Sequence, residues 1–130
     1  MSSLPVTAVA ALLNGAIFLL LTLRVIRIRL RDHVVLGDGE NRELMKAIRG
    51  QANAAEQMPI ALIVMGLAEL GGAPLWGLIP VALLFTGGRA AHGLYFARHG
   101  THWRFRTRGM WATIYAQGAL LLLLLLSLVI

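Results

Sequence analysis

Cysteine is absent from the 130-residue chain. That absence excludes a disulfide framework, a thiolate metal site and a cysteine nucleophile, so any thiol chemistry must be brought by a substrate. Charge is scarce as well: 14% of residues are charged and 58% are hydrophobic, where a soluble globular chain carries about 25% charged residues. The composition reads instead as a membrane protein with one domain over residues 1–130. Acidic residues are fewest, six against twelve Lys and Arg, for a net charge of +6 at pH 7. This excess does not mark a nucleic-acid binder. Apart from Arg49 and Arg89, the basic residues sit in two short connectors and the helix ends beside them. The first hydrophobic segment contains no acid, which argues against a small exporter coupling protons to a cationic substrate. No basic region precedes that segment and no small-residue cleavage site follows it before the arginines, so it is expected to be a retained helix rather than a secretory signal.

What the chain does have is hydrophobic length. Leu4 to Leu23 and Thr113 to Ile130 are uncharged, and each is long enough, or nearly so, to cross about 30 Å of hydrocarbon. Four helices are expected, burying their faces against one another or against other subunits. Helix one should run from about Pro5 to about Arg31. Asn14 within it is expected to make an interhelical hydrogen bond beside a close approach at Gly15, with substrate contact as the alternative. Arg24, Arg27, Arg29 and Arg31 read as interfacial anchors. A turn at Gly37, Asp38 and Gly39 precedes helix two, which Asp38 or Asn41 should cap and which should stop at Gly71-Gly72. Arg42, Glu43 and Lys46 should project into water, while Glu69 reads as a surface acid near the far end. Helix three is expected from about Leu75 to about Arg98. Its Gly87, Gly88, Ala91 and Gly93 would admit a neighbouring backbone. The basic, aromatic stretch from Arg98 to Gly109 reads as a connector, and helix four as starting with a Trp111 and Tyr115 belt. His99 and His102 have no acidic or thiol companions there, so no metal site is expected.

The informative stretch is RGQANAAEQMP, Arg49 to Pro59. Helical offsets of four and seven bring Arg49, Asn53 and Glu56 to within about 60° of one another, and the apolar run that follows shows that this stripe is no solvated face. Arg89 lies inside helix three, roughly 13 Å below the interface at 1.5 Å per residue. A charge near the membrane centre costs about 2.5 to 3.5 kcal/mol, so Glu56 and Arg89 are expected to face each other or share a polar cavity. His92 and Phe96 continue the Arg89 face. His92 reads as a packed hydrogen-bonding group more readily than as a general base. The positive-inside rule puts the two basic connectors in the cytoplasm and both termini on the opposite side. Arg49, Asn53, Glu56 and Arg89 together offer bidentate carboxylate binding, amide hydrogen bonding and an acceptor for an ammonium group. That set matches a small, zwitterionic, carboxylate-rich molecule.

The RGQANAAEQMP stretch, GRAAH in the third segment and Arg106-Thr107 before the fourth resemble the MAPEG superfamily, membrane-associated proteins in eicosanoid and glutathione metabolism. The resemblance implies an all-α membrane four-helix bundle assembled as a homotrimer, with glutathione as cosubstrate between neighbouring subunits. It implies that Arg49, Asn53, Glu56, Arg89 and His92 bind glutathione or hold its site together, and that Arg106 stands nearest the thiol as the catalytic arginine. The family chemistry would be transfer of the thiolate to an apolar electrophile or reduction of a lipid hydroperoxide. A noncatalytic lipid- or ligand-binding protein of the same fold is the alternative. Phe96 stands where family members often have tyrosine, with Tyr95 on a different face, and Thr107 where some have serine.

Overall fold

A computed structural model describes residues 4–129. They form an all-α bundle of four helices: α1 (Pro5–Asp32), α2 (Arg42–Leu70), α3 (Leu75–Ala97) and α4 (Trp103–Val129). α2 and α3 pack against each other, and each also packs against both α1 and α4. Among the described residues α1 and α4 do not touch. The bundle is therefore a central pair flanked on opposite sides by two outer helices. Among the described residues those outer helices, α1 and α4, are the two that are long and apolar enough to cross a membrane, consistent with an integral membrane location.

The helix ends follow from local chemistry. Asn41 caps α2, its Oδ1 accepting from the amides of Glu43 at 2.9 Å and Leu44 at 3.2 Å. Gly37 and Gly39 in the preceding turn adopt left-handed φ values of 67° and 58°, as the turn reading requires. At the other end of the bundle, Leu4 has no side chain with which to cap α1. Glu69 supplies the cap across the bundle: its two carboxylate oxygens accept from Val6 N and Thr7 N, each at 2.8 Å. Glu69 is thus not the idle surface acid expected, because a carboxylate at a helix N-terminus meets both free amides and the positive end of the macrodipole.

Interhelical polar contacts are few and specific. Asn14 is fully buried, and its Nδ2 donates to Ala10 O and to Thr86 Oγ1 on α3, both at 2.9 Å. Gly15 does not give the close approach expected beside it. It is exposed, and a Cβ there would meet no atom within 4 Å. Gln117 on α4 donates to the carbonyl and the side-chain oxygen of Gln57 at 3.2 and 3.0 Å, bracing α2 just before Pro59. The arginines of α1 do more than anchor: Glu43 accepts from Arg24 at 3.3 Å and Arg31 at 2.7 Å, and lies 3.5 Å from His99. One carboxylate thereby ties α1, α2 and the α3–α4 connector together.

Backbone meets backbone where α3 crosses α4. A Cβ on Gly109 would stand 2.6 Å from Gly88 O and 2.6 Å from His92 N. Of the small residues expected to admit a neighbour, Gly88 does so. Gly87 faces open space, and Gly93 makes ordinary contact with Ile17 and Leu21. Gly109 itself lies well inside α4, which starts at Trp103 rather than after the basic stretch. The earlier start has a cause: His102 Nδ1 accepts from Arg104 N at 3.2 Å and caps the helix.

Two substitutions test this framework. Gly109→Ala forces a methyl group against backbone atoms that cannot rotate away and should lower stability by about 1–3 kcal/mol. Gly118→Ala, where a Cβ meets nothing within 4 Å, should be neutral or stabilising; equal thermal unfolding of the two in detergent would refute the crossing. Glu69→Ala should cost about 0.5–2 kcal/mol and speed hydrogen exchange selectively at the Val6 and Thr7 amides.

Candidate functional site

Between α2, α3 and α4 lies a cleft of about 900 Å³. Three local features of the sequence shape it. On α2, Arg49 and Glu56 are seven residues apart and so share an azimuth, while Asn53 is turned about 40° from Arg49 toward the buried face. Accordingly Arg49 and Glu56 are exposed in the subunit, and Asn53 is half-buried against α3. Gly50, on the buried side of α2, makes room for Phe96: a Cβ there would collide with Phe96 Cβ and Cγ. This brings α3 close and sets the Phe96 and His92 rings, 4.9 Å apart, into the cleft wall. On α4, the Gly88–Gly109 crossing lies three residues beyond Arg106, which also lines the cleft.

Arg89 is fully buried and does not line the cleft. It stands behind the wall. Its Nη2 donates to Asn53 Oδ1 at 2.9 Å and approaches His92 Nδ1 at 3.4 Å. Its Nε and Nη1 are buried with no hydrogen-bond partner among the described residues. The expected meeting of Arg89 with Glu56 is not made: among the described residues no ion pair joins them, and Glu56 lines the cleft while Arg89 does not. The reason is angular. Glu56 sits about 60° around α2 from Asn53, and Asn53 is the residue turned toward α3.

The cleft therefore gathers Arg49, Asn53, Glu56, His92 and Arg106 directly and Arg89 through two of them. It also includes residues not assigned to a site from the sequence. Arg42 extends the Arg49–Glu56 spacing by a further seven residues, a signal that was present in the sequence, and Lys46 lies beside it. Tyr95 lines the cleft together with Phe96 despite pointing 100° away on the helix. Its ring carries Lys46 Nζ at 4.1 Å and Arg106 Cζ at 5.7 Å from the centroid. One aromatic ring so links cations from α2 and α4. Thr107 adds a hydroxyl, and Met110, Trp111 and Ile114 form an apolar wall on α4. Arg108 lies away from the cleft in a groove on the other side of the α3–α4 pair.

Chemically this is an anion-seeking cleft with one acid. Arg42, Lys46 and Arg49 line it beside Glu56 on α2, and Arg106 lines it from α4. A ligand with carboxylates and one ammonium group satisfies both signs, and the Met110, Trp111 and Ile114 side offers contact to an apolar molecule. A double-mutant cycle on Tyr95→Leu and Lys46→Met should show a coupling of about 0.5–1 kcal/mol. Tyr95→Phe, which keeps the ring face, should retain it; zero coupling in unfolding measurements would mean that the ring does not organise the cations.

Comparison with known proteins supplies the remaining finding. The sequence profile of the MAPEG family matches residues 7–126. The chain is similar to the inner membrane protein YecN of Escherichia coli strain K12, 36% identical over 108 residues, covering 83% of this chain and 81% of that protein. The same figures hold for YecN of Escherichia coli O6:H1.

Proposed function

This chain belongs to the MAPEG family, and we propose that its cleft binds glutathione and directs the thiol onto an apolar electrophile or a lipid hydroperoxide. The observation that carries the reading is the convergence of Arg49, Asn53, Glu56, His92 and Arg106 on one cleft. The donor set fits the molecule. Arg49 and Arg106 are matched to carboxylates, Asn53 to a backbone amide or carboxylate, and Glu56 to the α-ammonium group. The volume of about 900 Å³ lies within the usual range for small-molecule sites.

Glutathione supplies the nucleophilic sulfur that this cysteine-free chain lacks. The chain's own contribution is binding and electrostatics. Arg106, projecting from the first turns of α4, favours the thiolate over the thiol because a nearby guanidinium stabilises the charged form. Met110, Trp111 and Ile114 hold the apolar partner and keep water from it. The assembly proposed is a homotrimer in the membrane, with a neighbouring subunit against the exposed Arg49 and Glu56 face. The two basic connectors lie on the cytoplasmic side by the positive-inside rule, with both termini opposite.

A ligand-binding protein without turnover is the second reading, favoured by Phe96. Its ring lines the cleft next to His92 without a hydroxyl to offer a thiol. One set of measurements separates the two. Purified protein in detergent, titrated with glutathione, should show saturable thiolate absorbance that falls at least about tenfold in Arg49→Ala and Arg106→Ala, the loss expected for one charge-assisted contact. Turnover of a chlorinated aromatic electrophile or a lipid hydroperoxide establishes the enzyme. Binding without turnover establishes the second reading, and no binding at millimolar glutathione refutes both as stated.

A further inference from the structure

We propose that Arg89 is a positioning residue: by hydrogen bonding from behind the wall it fixes which atoms Asn53 and His92 offer to the cleft. The deep wall then turns hydrogen-bond donors toward the ligand and selects for a carboxylate. The ligand part of this inference rests on the glutathione reading above. The positioning part does not.

A guanidinium has five N–H donors and no acceptor. Any polar atom it bonds must therefore accept. Arg89 Nη2 lies 2.9 Å from Asn53 Oδ1, which engages the amide's acceptor and leaves its NH₂ as the group available to the cleft. The same Nη2 lies 3.4 Å from His92 Nδ1. That nitrogen must carry its lone pair toward Arg89, so the ring proton resides on Nε2. Asn53 and His92 both line the cleft and Arg89 does not, so the ligand meets the two donors and not their organiser. The single lone pair of His92 Nδ1 and one of the two on Asn53 Oδ1 are engaged from the protein side.

Two further observations favour orientation over simple charge pairing. No carboxylate lies within 4 Å of Arg89 among the described residues, so its charge is not spent on an internal ion pair. Arg89 is also fully buried, with Nε and Nη1 unpartnered. A group retained there solely for packing would be better replaced by an apolar side chain of similar volume. Its neighbours hold it in place: Gly88, immediately before it, abuts α4, and Asn53 fixes it to α2. The wall thus has a fixed polarity before any ligand arrives, which spares the ligand the work of orienting an amide and an imidazole.

The test begins without ligand. Nitrogen NMR of protein labelled with ¹⁵N-histidine, with the His92 signals assigned by their loss in His92→Gln, should show the neutral Nε2–H tautomer at neutral pH. Arg89→Met should abolish that preference. An Nδ1–H tautomer or an imidazolium in the wild-type protein overturns the proposal whether or not glutathione binds, and this holds even if Arg89→Met does not fold. The second arm uses Asn53→Asp, which keeps an acceptor for Arg89 but has no N–H to give. It should fold as well as wild type by thermal unfolding, yet lose about tenfold or more of the preference for glutathione over glutathione diethyl ester. An unchanged preference would overturn the donor-wall assignment. Absence of glutathione binding in the wild-type protein would overturn the cleft reading while leaving the tautomer measurement to decide the role of Arg89.

Discussion

The structure depends on a guanidinium in the wrong solvent. Arg89 is fully buried with no carboxylate beside it, and an unpaired charge in such a place is among the more costly features a membrane bundle can carry. It is held by Asn53 and approached by His92. The Asn53 contact binds α3 to α2 at the level of the cleft, and the rest of the guanidinium's hydrogen-bonding capacity is unused. The neighbouring position completes the constraint. Gly88 lets α4 reach α3, Gly109 receives the backbone of His92, and Arg106 stands three residues before that contact. A buried cation and a side-chain-free crossing therefore fix the same few ångströms of α3 from two directions, and the cleft residues of three helices take their places from them.

Acidic residues are distributed with the same economy. Of the six, Glu43 joins α1, α2 and the α3–α4 connector, Asp32 pairs with Arg31 and receives the Asn41 amide at 2.6 Å, and Glu69 caps α1. Asp38 closes its own turn by accepting from Glu40 N. Glu56 is the acid that lines the cleft, which it shares with four cations. An internal ion pair would have occupied the Glu56 carboxylate. Its exposure in the subunit leaves it available to an ammonium group instead.

Much of this was readable in the residues. The ends of α1, α2 and α3 fall within a residue of those expected once Asn41, rather than the alternative Asp38, is the cap of α2, because helix stops and caps are local chemistry. The α2 stripe was legible from its spacing, and Asn14 from its polarity in an apolar run. What was not legible involves partners distant in sequence. Glu69 caps a helix 62 and 63 residues away, and nothing around it announces that. The start of α4 was hidden because a stretch with Arg104, Arg106 and Arg108 resembles a solvated connector, whereas a histidine cap and the Gly109 crossing make it helical. The Glu56–Arg89 meeting failed on rotation about α2. Spacing places residues on one face of a helix; which edge of that face meets the neighbour is a matter of packing.

The division of labour among helices follows from where polarity can be tolerated. α1 and α4 have the apolar length to cross a membrane, while α2 and α3 carry Asn53, Glu56, Arg89 and His92. The two polar helices are also the central ones, each touching both outer helices. This arrangement places the expensive groups where protein rather than lipid surrounds most of them. Farther along α2 the outward residues Ile60, Ile63 and Leu67 are exposed and apolar, so apart from Glu69 at its far end the charged residues of α2 lie in the turns before Pro59. A helix polar throughout would not remain in a bilayer, and one apolar throughout could not line a charged cleft. α2 meets both conditions by changing character at Pro59, with Gln117 bonded to Gln57 at the boundary.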